Sequence, residues 1–161
     1  MSDLTHLNER GEARMVDVTA KDVTTREATA RCRVTVSAEV AALLAAGEMP
    51  KGDALAVARI AAIQATKRTP DLIPLCHPIA VHGVDVEVSL REEADDFAVE
   101  VIATVRTADR TGVEMEALTA AAVGGLTVID MVKGRDRTAA ITEVVLLEKK
   151  GGRSGHWVRE S

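Results

Sequence analysis

EATARCRVTVS, residues 27–37, sets Ala28, Ala30, Cys32, Val34 and Val36 against Thr29, Arg31, Arg33 and Thr35 in strict alternation. A period of two is that of a strand with one face buried, so Cys32 is expected inside and the arginines outside. Downstream the period changes. AEVAALLAAG follows Ser37, and DALAVARIAAIQATK opens on Asp53, each acid or hydroxyl standing where a helix N-cap is wanted. Gly47 and Gly52 bracket the break between these two helices. VDVEVSL (84–90) and FAVEVIATVRT (97–107) alternate again and are joined by the polar turn REEADD, which predicts an antiparallel hairpin. A long helix is expected from about Val113 to Val132, with Gly124-Gly125 as its weak point, since paired glycines either break a helix or mark close packing. AITEVVLLE, at about 140–148, supplies a closing strand. The resulting fold class is α+β: a ferredoxin-like β-α-β-β-α-β sandwich with an extra helix in the first crossover. That architecture serves many unrelated functions.

Composition bounds the rest. A chain of 161 residues predicts a single domain, 1–161, with residues 1–14 as a flexible N-terminal arm and 149–161 as a glycine-rich tail, mobile unless something docks on it. Hydrophobic content of 47% and charged content of 28% are globular, and no apolar run is read as approaching the roughly 20 residues of a membrane helix. MSDLTHLNERGEARM lacks the pattern of a secretory signal, so a cytoplasmic protein without a membrane partner is expected. The net charge of −5, with one Trp, one Phe and no Tyr, argues against a nucleic-acid partner. Two cysteines, Cys32 and Cys76, are expected as reduced thiols; two alone make no zinc site, and no metal site is expected.

Chemistry is expected where the regular pattern breaks. TPDLIPLCHP, residues 69–78, follows Lys67 and Arg68 and holds three prolines, which should keep it from being either helix or central strand. It reads as a rigid wall that presents Cys76 and His77. Neighbours in an extended chain point opposite ways, so these two make a poor nucleophile and base pair, and His77 is the better functional candidate. His82, His6 and His156 read as incidental. Lys51-Gly-Asp53 is a turn with a helix cap, or a lysine placed to hold phosphate at a helix start. Glu114 and Glu116 suit the first turn of the long helix, and Asp130 with Lys133 forms an i, i+3 pair at its other end. Glu116 and Asp130 share a helix face but stand roughly 21 Å apart along the axis at 1.5 Å per residue. They cannot meet one small substrate within a subunit, which predicts a site shared between subunits if both ends are functional.

MVDVTAK (15–21), KGDALAVARIAAIQATKRTPDLIPLCHP (51–78), TGVEMEALTAA (111–121), IDMVK (129–133) and KKGGRSG (149–155) together resemble the cyclic pyranopterin monophosphate synthase family, the C proteins of molybdenum cofactor biosynthesis. The resemblance spans nearly the whole chain. It implies a lyase that converts a cyclised dihydroguanosine triphosphate to cyclic pyranopterin monophosphate and releases pyrophosphate. It also implies a homohexamer, a trimer of dimers, with sites at the dimer interface. Leu75, Cys76, His77, Met115 and Glu116 match the family's substrate contacts, Asp130 its active-site aspartate, and Lys51 and Lys133 its catalytic lysines. Asp17, Lys21, Arg26, Glu114 and Lys149 match further pocket positions. Lys67 joins Lys21, Arg26 and Lys149 as a candidate for the triphosphate. Such chemistry demands repeated proton transfers and cations for the expelled polyanion but no redox group, so no cofactor is expected, apart from a magnesium ion that could travel with the triphosphate. The alternative left open is a non-enzymatic nucleotide or phosphate sensor on the same core.

Overall fold

A computed structural model describes residues 7–8, 10–94 and 96–160. The elements run β1 (Thr24–Thr35), α1 (Ala38–Ala46), α2 (Ala54–Thr66), α3 (Thr69–Leu72), β2 (Gly83–Glu93), β3 (Asp96–Asp109), α4 (Glu114–Val132), β4 (Ala140–Lys150) and β5 (Trp157–Val158). The strands form a single antiparallel sheet of order β2-β3-β1-β4-β5. With the short β5 set aside, that is the ferredoxin-like order expected from the sequence.

Alternation in β1 is realised as read. Ala28, Ala30, Cys32 and Val34 are buried to 1% exposure or less, while Thr29, Arg31 and Arg33 are only partly covered. Partners Val99, Val101, Ala103 and Val105 from β3 complete an apolar face without a large side chain. Onto that face lies α4, which also meets β4 and α2. The small core lets the helix approach closely. A Cβ on Gly124 would sit 2.8 Å from Cγ1 of Val101, and one on Gly125 would collide with Sγ of Cys32. The glycine pair is therefore a packing device, and α4 runs through it unbroken for 19 residues. Its length and apolar character are those of a membrane span, contrary to the expectation that no run approaches that length. Here the helix is the core element, with Ala117, Ala120, Ala121 and Val128 fully buried.

Caps follow the sequence. Ser37 Oγ accepts from Val40 N at 3.3 Å, and Asp53 Oδ1 accepts from Ala56 N at 2.9 Å. Three differences have local causes. Residues 69–72 form one helical turn, where three prolines predict no helix. Pro70 falls at the start of that turn, where its missing N–H costs nothing, and only Pro74 and Pro78 hold the remainder extended. Strands β2 and β3 run into the expected REEADD turn, which leaves Ala94 in the left-handed region at φ 53°. The tail docks: β5 pairs with β4 through Lys149 opposite Trp157 and Glu148 opposite Val158. In the N-terminal arm Leu7 bridges Ala13, and residues 1–6, including His6, lie outside the described residues.

Candidate active site

The irregular chain from Ile73 to Val81 is pinned at both ends. Cys76 N donates to Ile73 O at 3.0 Å, and Thr107 Oγ1 donates to Ala80 O at 2.6 Å. Between them Cys76 and His77 face apart, as extended neighbours must. The Cys76 thiol points inward and donates to Glu116 Oε1 at 3.6 Å. The His77 ring turns toward the 16–21 segment, where Nε2 donates to Val16 O at 2.7 Å. That bond ties the N-terminal segment to the loop, and the two enclose a pocket of about 410 Å³, within the size range of small-molecule sites. Leu75, Cys76, His77, Met115, Glu114 and Lys21 line it.

Glu116 lies behind Cys76, outside the pocket lining, and meets the pocket only through the thiol. It is 1% exposed, and its Oε2 has no hydrogen-bond partner among the described residues. Burial is the main force that pushes its carboxyl above the ordinary range, and the nearby Glu114 adds to it. The Cys76 thiol rises to about 11, through desolvation first and the Glu116 charge second. A thiol so poised is almost wholly protonated at neutral pH and is a hydrogen-bond donor, not a nucleophile. Asp17, exposed beside the pocket, accepts from Thr19 N at 2.8 Å; hydrogen bonds from Thr19 and the charge of His77 hold its carboxyl below the usual range. Lys149 reaches Glu114 Oε1 at 3.9 Å and bonds Ser154 Oγ. Arg26 lies in an adjoining cavity that shares Lys21, its guanidinium donating to the carbonyls of Asp109 and Arg110.

A second cluster sits at the far end of α4. Lys133 Nζ lies 2.6 Å from Asp130 Oδ1, and Lys51 Nζ lies 3.2 Å from Oδ2 and 2.8 Å from the Asp130 carbonyl. One carboxylate thus holds two ammonium groups, Lys133 foremost, and they keep it below the usual carboxylate range. The loop after α4 is fixed by Asp136, buried at 5%, which accepts from Ser37 N at 2.7 Å and from the Thr138 hydroxyl at 2.6 Å. An unbroken α4 keeps this cluster about 21 Å along the axis from Glu116 at 1.5 Å per residue. The expected site residues therefore fall into two groups within one chain.

Lys67 belongs to neither group; it ends α2 as an exposed C-cap. Arg110 and Arg153 also stand at the site, without a sequence signal that singles them out. Arg110 Nε donates to Lys21 O at 2.9 Å and fixes the Lys21 turn, and Arg153 lines the pocket itself. Arg153 was in view, inside the KKGGRSG block, but nothing local marks one cation of that run as facing a cavity. The other histidines make local bonds: His82 Nδ1 accepts from Ala108 N at 3.2 Å, and His156 meets Glu148 at 2.6 Å.

Fold and site define a ferredoxin-like α+β protein with a pocket bearing Lys21, Arg153 and Glu114 at one end of its core helix and a lysine–aspartate–lysine cluster at the other. The chain belongs to the MoaC family, whose model matches residues 15–152. It is 62% identical to the cyclic pyranopterin monophosphate synthase of Streptomyces avermitilis over 156 residues, covering 97% of this chain and 89% of that protein. The protein of the same name from Roseiflexus castenholzii is 59% identical over 160 residues, with 99% and 100% covered. That from Geobacillus thermodenitrificans is 50% identical over 161 residues, with 100% and 99% covered.

Proposed function

We propose that the chain is a lyase of molybdenum cofactor biosynthesis, acting as the synthases it resembles are named: it converts (8S)-3',8-cyclo-7,8-dihydroguanosine 5'-triphosphate to cyclic pyranopterin monophosphate and releases pyrophosphate. The observation that carries this reading is the Lys51–Asp130–Lys133 cluster. Two amines from distant parts of the chain meet on opposite oxygens of one carboxylate, which orients both for proton delivery and removal. Opening a purine ring and rebuilding a pterin needs that kind of service repeatedly. The Cys76 pocket would take the guanine-derived end. His77 and Glu114, which line it, offer polar partners to its ring nitrogens and amide, and Glu116 would act from behind Cys76, reaching the ligand only where the thiol gives way. Lys21, Arg26 and Lys149 would hold the triphosphate, and a magnesium ion would enter with those phosphates and not on a dedicated protein site. Lys67 is kept for the outer phosphates only if another subunit brings it close.

Each complete site would draw the pocket from one subunit and the lysine cluster from its neighbour, within a cytoplasmic homohexamer built as a trimer of dimers. The separation of the two groups along α4 supports this arrangement. The test is release of pyrophosphate from the cyclised triphosphate. Lys51→Ala and Lys133→Ala should each lower kcat by about 10²–10⁴-fold, with substrate binding retained, as loss of acid–base groups does. Intact turnover in both variants would remove the lysines from the chemistry. Binding by the wild type without pyrophosphate release would make the protein a sensor.

A further inference from the structure

Arg153 stands where two cavities meet. The Cys76 pocket and a second cavity of about 270 Å³ share Lys21 and Arg153, and the second also exposes Arg26, Gly152 and Asp22. Three cations therefore face one carboxylate across the second cavity. Asp22 pairs with none of them, the Arg26 guanidinium is held by backbone carbonyls, and Arg153 makes no ion pair or hydrogen bond among the described residues. An unengaged guanidinium beside a lysine and a second arginine is a site for a polyanion, because its planar donors match phosphate oxygens two at a time.

Its placement is built in. Gly151, at φ 92°, lies so close to Thr25 O that a Cβ would collide with it, and Gly152, at φ 74°, lies against the Arg26 guanidinium. At Gly151 the backbone angle and the Thr25 carbonyl together demand glycine, and at Gly152 the positive φ favours it. Beyond the turn the chain is clasped back onto β4. Trp157 pairs with Lys149, Arg159 N donates to Leu147 O at 2.8 Å, Arg159 Nε donates to Leu146 O at 2.7 Å, and the guanidinium lies 5.8 Å over the Trp157 ring. Residues 153–159 lie past the end of the family match at residue 152. We propose that Arg153 is a phosphate-binding residue for the pyrophosphate-bearing end of the substrate, and that the β4–β5 hairpin is the device that holds it at the junction. This rests on the substrate class of the preceding section, with the base end beneath Cys76 and the phosphate chain running past Lys21 into the second cavity.

Inorganic pyrophosphate is the probe, its binding measured by calorimetry and its inhibition by competition with the cyclised triphosphate. Arg153→Ala should weaken pyrophosphate binding about tenfold or more, the loss expected for a charge-assisted hydrogen bond. It should raise KM by a similar factor with a smaller change in kcat, and Arg153→Lys should recover part of both. Trp157→Ala, which leaves every cation in place but loosens the clasp, should shift pyrophosphate affinity in the same direction while the far-ultraviolet circular dichroism stays that of the wild type. Pyrophosphate affinity within twofold of wild type in Arg153→Ala, or no pyrophosphate binding by the wild type, overturns the assignment of Arg153. Unchanged affinity in Trp157→Ala overturns the role of the hairpin. Arg153-dependent pyrophosphate binding in a wild-type protein that turns over no cyclised triphosphate would uphold the site and refute the enzyme reading.

Discussion

At the scale of single residues, Cys76 in the pocket wall and Glu116 buried behind it form a coupled pair. A carboxyl at 1% exposure, with one oxygen unpaired among the described residues and a protonated thiol on the other, is held in that state by burial. Its folded-state pKa lies above the ordinary value of 4.5, so the folded chain binds the proton more tightly than the unfolded chain. The group thus contributes stability that is fully present below about 4.5 and is lost as pH rises through the folded value. Glu116→Gln cannot ionise. The difference in unfolding free energy between variant and wild type should therefore move in the variant's favour as pH rises from about 4.5 toward neutrality. Parallel stability curves in urea across that interval would contradict the buried, raised carboxyl. Residue identities at this site were legible through the LCHP and GVEMEAL blocks, and the opposed directions of Cys76 and His77 followed from extended geometry alone. The unpaired oxygen of Glu116 was not legible, nor was the anchoring role of Asp136, because both depend on what distant segments bring against them.

Among the elements, α4 carries most of the argument. Its apolar period placed it within a residue of where it lies, but the sequence left open whether Gly124-Gly125 breaks the helix or packs it. Contact with Val101 and Cys32 decides for packing. Gly125→Ala separates two opposing effects: alanine gains up to about 1 kcal/mol in helix propensity, whereas overpacking a tight core costs about 1–3 kcal/mol. With Sγ of Cys32 in the way the second should win, giving a net loss of about 1–2 kcal/mol in denaturant unfolding. Adding Cys32→Ala should restore part of that loss, a coupling of the kind that neighbouring sites show. A more stable Gly125→Ala would mean that the helix stands further from the sheet. Two smaller elements escaped the sequence for plain reasons. One helical turn at 69–72 hid behind prolines, of which only Pro70 falls within the first turn that tolerates it, and β5 is two residues long after a run of glycines, too short to show a period.

For the whole molecule, the fold was legible because each strand and helix alternates with its own period and the order leaves few topologies. The spacing of Glu116 and Asp130 already pointed to a site shared between subunits; what the sequence left open was whether the helix between them is continuous. An unbroken α4 holds Glu116 and Asp130 apart, so under the proposed function the Cys76 pocket and the Asp130 cluster would come together from different subunits. The central claim is therefore that active sites are composite. It is tested most directly by measuring pyrophosphate release from oligomers reassembled from equal amounts of Glu116→Ala and Asp130→Ala chains, each inactive alone. A two-fold interface gives every mixed pair one site with both residues intact, so random pairing should return about a quarter of the wild-type activity. Mixed oligomers that form and release no pyrophosphate above either parent would contradict it.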